Sequence, residues 1–152
     1  MNYKTSLYLC TLILLIIIIG FFGCQLGQNH EMILNDKPLL ISDKKTILTL
    51  NPPLTKKYNF LALRVNIIEN WGTVPPYTEI DIFGKGRIKI HAELKDSDGN
   101  LYESKILGAG GGFLEIKFDQ NLPKNREYVS VAISSDSEFR CDKIIWYNFS
   151  AP

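Results

Sequence analysis

The sequence predicts an all-β fold. The expected architecture is a single antiparallel β-sandwich, immunoglobulin-like or jelly-roll, of about 7–8 strands after an N-terminal apolar signal or anchor helix. Three observations carry this. Apolar and polar residues alternate with period two almost everywhere after Pro38. Turn-forming clusters recur at intervals of roughly 8–12 residues. No segment beyond Pro38 combines a 3.6-residue period with helix caps, so βαβ units are not expected. The cysteine pair and core tryptophan of true immunoglobulin domains are missing from the pattern, so the prediction concerns architecture alone.

In chain order, Gln25 to Lys37 is polar and patternless and reads as a tether (residues 24–37) before a domain spanning 38–152. Leu39–Ile41 and Thr46–Leu50 are short strands around the Ser42-Asp43-Lys44-Lys45 turn. Leu61, Leu63, Val65 and Ile67 share one face of the next strand, which ends at Asn70-Trp71-Gly72. Arg87 to Lys95 has the clearest alternation: Ile88, Ile90, Ala92 and Leu94 against Arg87, Lys89, His91, Glu93 and Lys95. Asp96-Ser97-Asp98-Gly99-Asn100 makes a hairpin turn into Leu101–Leu107, and the glycines of 108–112 break the chain. Leu114, Ile116 and Phe118 form one inner row, Val129, Val131 and Ile133 another, and Ile144–Phe149 the last strand.

Residues 1–23 differ in kind. Lys4 is the one cation ahead of an almost unbroken apolar run from Leu7 to Phe22, followed by Gly23-Cys24-Gln25. A charged start, an apolar core and a small residue before a cleavable bond are the parts of an export signal. With the cysteine directly after Gly23, residues 1 to 25 resemble the lipobox of bacterial lipoprotein precursors. That resemblance implies cleavage before Cys24, diacylglycerol on its thiol, and an acylated N-terminus. It also implies outer-membrane sorting where two membranes exist, because Gln25 is not the aspartate that retains lipoproteins at the inner membrane. The alternative is an uncleaved membrane anchor, although a helix through this run spans roughly 25 Å against a core of about 30 Å. Both readings export the domain, since no Lys or Arg follows Lys4 until Lys37.

Composition narrows the partners. The chain has 17 cationic and 16 acidic residues, and Lys4 belongs to the leader, so the remainder is formally neutral. A neutral domain without a basic block lacks the electrostatic footprint of a nucleic-acid binder. Of the 3 cysteines, Cys10 lies in the leader and Cys24 is the lipidation candidate. Cys141 remains, and an unpaired thiol of this kind is expected buried and inert.

The chemical motifs are weak. The glycines of 108–112 lack the Lys-Ser/Thr of a phosphate loop, and Asp96-x-Asp98 lacks the glycine and glutamate of a calcium loop. Ser42-x-x-Lys45 matches penicillin-recognising enzymes by letter only. His30 and His91 stand apart from other ligands, so neither a metal nor any other cofactor is expected. Glu79 and Asp81 lie on one strand face about 7 Å apart, a spacing that would suit a glycan hydrolase, yet opposite Ile80 and Ile82 on the wetter side. An enzyme is not expected. Two aromatic features point instead to binding. One is the segment Glu69 to Thr78, where Pro75-Pro76 stiffens a loop that offers Trp71 and Tyr77. The other is Ile144–Phe149, apolar on both faces, with Ile145, Tyr147 and Phe149 expected inward and Trp146 outward. The expectation is a membrane-attached envelope protein whose β-domain binds a protein or glycan: an envelope-complex subunit, a glycan receptor, or a neutraliser of a toxin.

Overall fold

The computed structural model describes residues 30–58, 60–119 and 121–149, so Cys24 and the whole leader lie outside the described residues. Everything regular is β. The strands are β1 (His30–Ile33), β2 (Leu39–Ile41), β3 (Thr46–Thr55), β4 (Phe60–Ile67), β5 (Trp71–Val74), β6 (Glu79–Ile82), β7 (Gly86–Asp96), β8 (Leu101–Gly110), β9 (Phe113–Phe118), β10 (Glu127–Ser135) and β11 (Phe139–Phe149). All pairings are antiparallel. One continuous sheet, ordered β1-β11-β4-β9-β8-β7-β10-β3, curls into a half-barrel, with β2 on β11 and the β5–β6 hairpin hung on β7.

The all-β antiparallel expectation holds, and the strand number exceeds it, with 11 strands among the described residues. Two of the additions are short and carry little periodic signal. β1 occupies the stretch read as tether: His30 to Ile33 pair with Asn148 to Ile145. The Asn35 amide then fastens the β1–β2 connection by donating to the carbonyls of Lys37 (2.7 Å) and Asp142 (2.9 Å). Its oxygen accepts the Ile144 N–H at 2.6 Å. β5 occupies the start of the segment read as a loop and pairs with β6 from Trp71↔Ile82 to Val74↔Glu79.

The curl has its source in β8. Leu101 to Glu103 pair with β7, and from Ser104 onward the strand pairs with β9, so β8 belongs to both halves of the sheet. A register shift between Ser104 and Ile106 accompanies the change of partner, as a bulge that bends a strand should. The inner rows of both halves then meet. Leu61, Leu63, Val65, Ile67, Leu114, Ile116 and Phe118 pack with Ile88, Ile90, Ala92, Leu94, Val131 and Ile133 in one core. At its centre Tyr128 of β10 contacts Trp146 of β11 (centroids 5.8 Å) and Tyr102 of β8 (5.9 Å, edge-on).

Trp146 corrects the expected facing of the last strand. It is 0% exposed and inward with Ile144 and Asn148, while Ile145, Tyr147 and Phe149 lie on the outer side. That outer side is covered as well: Phe60 and Tyr147 each stack on Phe149, and the Arg64 guanidinium lies 3.4 Å from the Tyr147 ring centroid. A strand covered on both faces can be apolar on both faces. Arg64 in turn pairs with Glu115 (3.1 Å) and Glu31 (3.2 Å). Gly108 and Gly110 make room for this layer. A Cβ on Gly110 would stand 3.2 Å from the Glu115 carboxylate, and one on Gly108 3.4 Å from the Lys117 ammonium. Gly111 and Gly112, with φ of 58° and 81°, form the turn into β9. The glycine run is thus strand and hairpin, not a break.

Truncating Trp146 to alanine opens a cavity between the two halves and is expected to cost about 3–5 kcal/mol in denaturant unfolding. Its indole N–H has no hydrogen-bond partner among the described residues. Trp146→Phe, which removes that donor and keeps an aromatic, should therefore cost much less; equal losses for the two variants would contradict this packing.

Candidate functional site

The β5–β6 hairpin and the turn after it hold the exposed aromatic side chains Tyr77 and Phe83. Pro75-Pro76 carries the chain round the hairpin turn, where the Tyr77 N–H donates to the Val74 carbonyl at 2.7 Å. Tyr77 has φ 69°, a left-handed conformation that costs a non-glycine residue about 1–2 kcal/mol. Its carbonyl accepts the Leu107 N–H at 2.9 Å, which ties the turn to β8. The backbone is thereby held while the phenol ring stays half out, 49% exposed.

Trp71, at the other end of the hairpin, is half-buried and packs on the core. Its neighbour in space is Phe83, 85% exposed in the β6–β7 turn and held by a bond from its N–H to the Asn70 carbonyl (2.9 Å). Together with Thr73, Val74 and Asp81, Trp71 and Phe83 line a shallow hollow. Tyr77 lines a different one. The sequence placed Trp71 and Tyr77 in one loop, and the structure gives each its own surface on opposite ends of a hairpin. Trp146, the third partner-binding candidate, is in the core and presents nothing to a partner. Phe83 carries no distinguishing signal in the sequence, because a lone phenylalanine before a Gly-Lys-Gly turn reads as the end of the Ile80–Ile82 row.

Tyr77's hollow is a cleft of about 190 Å³ opened by the departure of β8 from β7. β7 continues toward β6 while β8 leaves for β9, so neither strand's facing edge is fully paired here. The Ala92 N–H is satisfied by the Ser104 hydroxyl at 3.3 Å instead of by a backbone carbonyl. Ile90 and Leu107 floor the cleft, and its walls carry Thr78, Lys89, His91, Ser104 and Lys105 beside Tyr77. Across His91 and Ser104 a second hollow adjoins it, bordered by Lys45, Glu93 and Glu103. Lys45 pairs with Glu93 there at 3.0 Å.

The other residues singled out in the sequence lie away from this cleft or at its edge. Glu79 and Asp81 face Lys89 and Arg87 across the β6–β7 ladder, and the Glu79 carboxylate lies 3.9 Å from the Lys89 ammonium. The Glu79 charge is met by a cross-strand cation, and Asp81 stands opposite Arg87 in the ladder. Asp96 is a turn cap. Its buried carboxylate accepts the N–H groups of Asp98 (3.0 Å) and Asn100 (2.8 Å), the Asn100 amide (2.9 Å) and the Tyr102 hydroxyl (2.9 Å). The Asn100 side chain is the foremost cause of a pKa below the ordinary aspartate range, against opposition from burial. Asp98 takes an ion pair from Arg126. No group of three or more His, Cys, Asp or Glu side chains is placed to hold a metal among the described residues. Ser42 caps its own turn by accepting the Lys44 N–H at 3.3 Å. Cys141 is fully buried, and burial pushes its thiol up to about 11.

No family model matches this chain, and no curated protein or solved structure matches it either.

Two outcomes follow from these environments. The stability gap between the native chain and Asp96→Asn should be widest at neutral pH. It should shrink as pH falls from the ordinary aspartate value through the lowered folded one, because the depressed pKa contributes stability only while the carboxylate is charged. Urea unfolding across pH 2.5–7 checks this, with a pH-independent gap as the contrary result. Cys141 should react with a disulfide reagent at pH 8 only after unfolding; rapid native-state labelling would place the thiol at the surface.

Proposed function

We propose that the chain is a lipid-anchored cell-envelope protein whose half-barrel serves as a non-catalytic, sandwich-like module for binding a macromolecular partner through the β5–β6 hairpin. The observation that carries the reading is Tyr77: a bulky residue held in a left-handed backbone by bonds to Val74 and Leu107, with half of its ring in water. Strain of that kind persists where the surroundings over-determine it, and it gathers at ligand contacts. Phe83 adds an aromatic presented almost whole to solvent at the far end of the same hairpin.

The direction of chain entry bears on how an anchored domain would present itself. His30 pairs with Asn148, near the end of β11, whereas Ile68 and Phe83 follow the opposite pole, where the Ile68 N–H meets the Arg140 carbonyl. Asn148 and Arg140 are about 25 Å apart along the strand. A lipid on Cys24 is at most about 20 Å of chain from His30. The Phe83 end of the hairpin lies at the pole of the sheet opposite the entry of the chain, free to meet a partner away from the anchor. The partner is a protein or a glycan, and the anchor is Cys24 with its acyl chains, since more than one chain makes attachment stable.

Cys24→Ala should abolish incorporation of a palmitate analogue; label retained in that variant would remove the lipoprotein reading. Tyr77→Gly is expected to leave stability within about 1 kcal/mol of native, because it relieves the left-handed strain while adding glycine's entropy cost. In pull-downs from detergent-solubilised envelope, the same variant and Phe83→Ser should each lose the specific partner. An undiminished catch with both variants would exclude the hairpin as the contact.

A further inference from the structure

We infer that the cleft between β7 and β8 is a binding site for a phosphoryl group carried by a larger molecule. This goes beyond the hairpin's proposed role and does not depend on membrane attachment. The walls of the cleft offer two lysines, Lys89 and Lys105, one imidazole, His91, and the hydroxyls of Tyr77, Thr78 and Ser104. No carboxylate belongs to its lining; Glu79, directly across the β6–β7 ladder from Lys89 and on the same face, lies 3.9 Å from the Lys89 ammonium and competes for it. The carboxylates of Glu93 and Glu103 border the neighbouring hollow, where Lys45 faces Glu93.

The donor chemistry selects the ligand. Ammonium groups are point charges with rotatable donors, and together with several hydroxyls they can meet the three oxygens of a tetrahedral phosphoryl group. The floor is apolar, made by buried Ile90 and Leu107, and an apolar wall strengthens the attraction between the lysines and an anion above it. Size agrees too: about 190 Å³ admits a phosphoryl group and the first atoms of its substituent, and falls below the 300–1,000 Å³ of a whole small-molecule pocket. The cleft therefore fits one anionic substituent of a lipid headgroup or of a phosphorylated glycan, whose remainder continues past Tyr77. The held backbone of Tyr77 keeps the ring at the rim, where it can pack against that remainder.

Titration of the full-length chain in neutral detergent with inorganic phosphate, at constant ionic strength against chloride, tests the site through the amide resonances of Thr78, His91 and Ser104. The expected result is saturable shifts at those three positions, weakened about tenfold in Lys89→Ala/Lys105→Ala. Both lysines are exposed, so the double variant keeps the fold. Glu79→Gln, which removes the competing carboxylate, should tighten binding about two- to threefold. Glycerol phosphate and a hexose phosphate then distinguish the two sources by which binds more tightly than phosphate alone. Shifts that follow chloride equally, that are matched by acetate, or that survive the double lysine change would each overturn the proposal. Loss of the envelope partner in Tyr77→Gly with phosphate shifts intact would leave this site standing and bear on the hairpin alone.

Discussion

The contact between Tyr128 and Trp146 is the constraint on which the half-barrel depends, because the two residues sit on strands that are not neighbours in the sheet. β10 and β11 are separated along the hydrogen-bonded path by β4, β9, β8 and β7, yet their rings are 5.8 Å apart. Bringing them together folds the sheet over itself and encloses the inner rows of both halves. A register shift between Tyr128 and Ser130 turns Tyr128 inward with Val131 and Ile133, which a regular period-two strand could not do. The Tyr128 hydroxyl is satisfied by the Pro123 carbonyl at 3.2 Å, and burial raises its pKa to about 12. The closing interaction is therefore apolar in the ring and hydrogen-bonded at the tip, as a buried tyrosine requires.

Closure also decides where polar groups go. Asn148 is fully buried on β11 and uses its amide to bond the Thr55 carbonyl (3.0 Å) and the Lys57 N–H (3.2 Å), so it holds the crossing from β3 to β4. Lys56 beside it is buried and donates to the Leu122 carbonyl at 3.2 Å, and burial lowers its pKa. On the outer side the Arg64 guanidinium, between Tyr147, Glu115 and Glu31, covers strands that would otherwise expose aromatic surface. These are pairings of residues 33 to 93 positions apart, and each is meaningful only once the sheet has curled.

The same geometry leaves one opening. A strand that serves two half-sheets must part from one of them, and the parting of β8 from β7 is the place where side chains replace backbone partners, as Ser104 does for Ala92. The β5–β6 hairpin packs against that opening through Tyr77 and Leu107. The displayed aromatic and the cationic cleft are thus consequences of a single topological event, and this is the physical link between the fold and the binding roles proposed for it.

Local chemistry alone was sufficient for several features. The inner rows from Leu61 to Ile67 and Leu114 to Phe118, the Asp96 cap, the burial of Cys141 and the all-β class follow from period two, turn residues and polarity, all of which act within a few residues. The export signal proposed for residues 1–23 rests on a charged start, an apolar run and Gly23-Cys24. Short segments escaped, because His30–Ile33 and Trp71–Val74 gain strand character from the partners they pair with and not from their own pattern. Facing on the last strand escaped too: Ile144 to Phe149 is apolar on both sides, so alternation cannot say which side is the core. Only the curled sheet decided that Trp146 goes in and Tyr147 lies under Arg64, that Phe83 stands in water, and that Lys89, His91, Ser104 and Lys105 line one cleft. The reason is that side-chain period is a local property of a strand, whereas which strands separate and which rings meet is set by pairings across the whole chain.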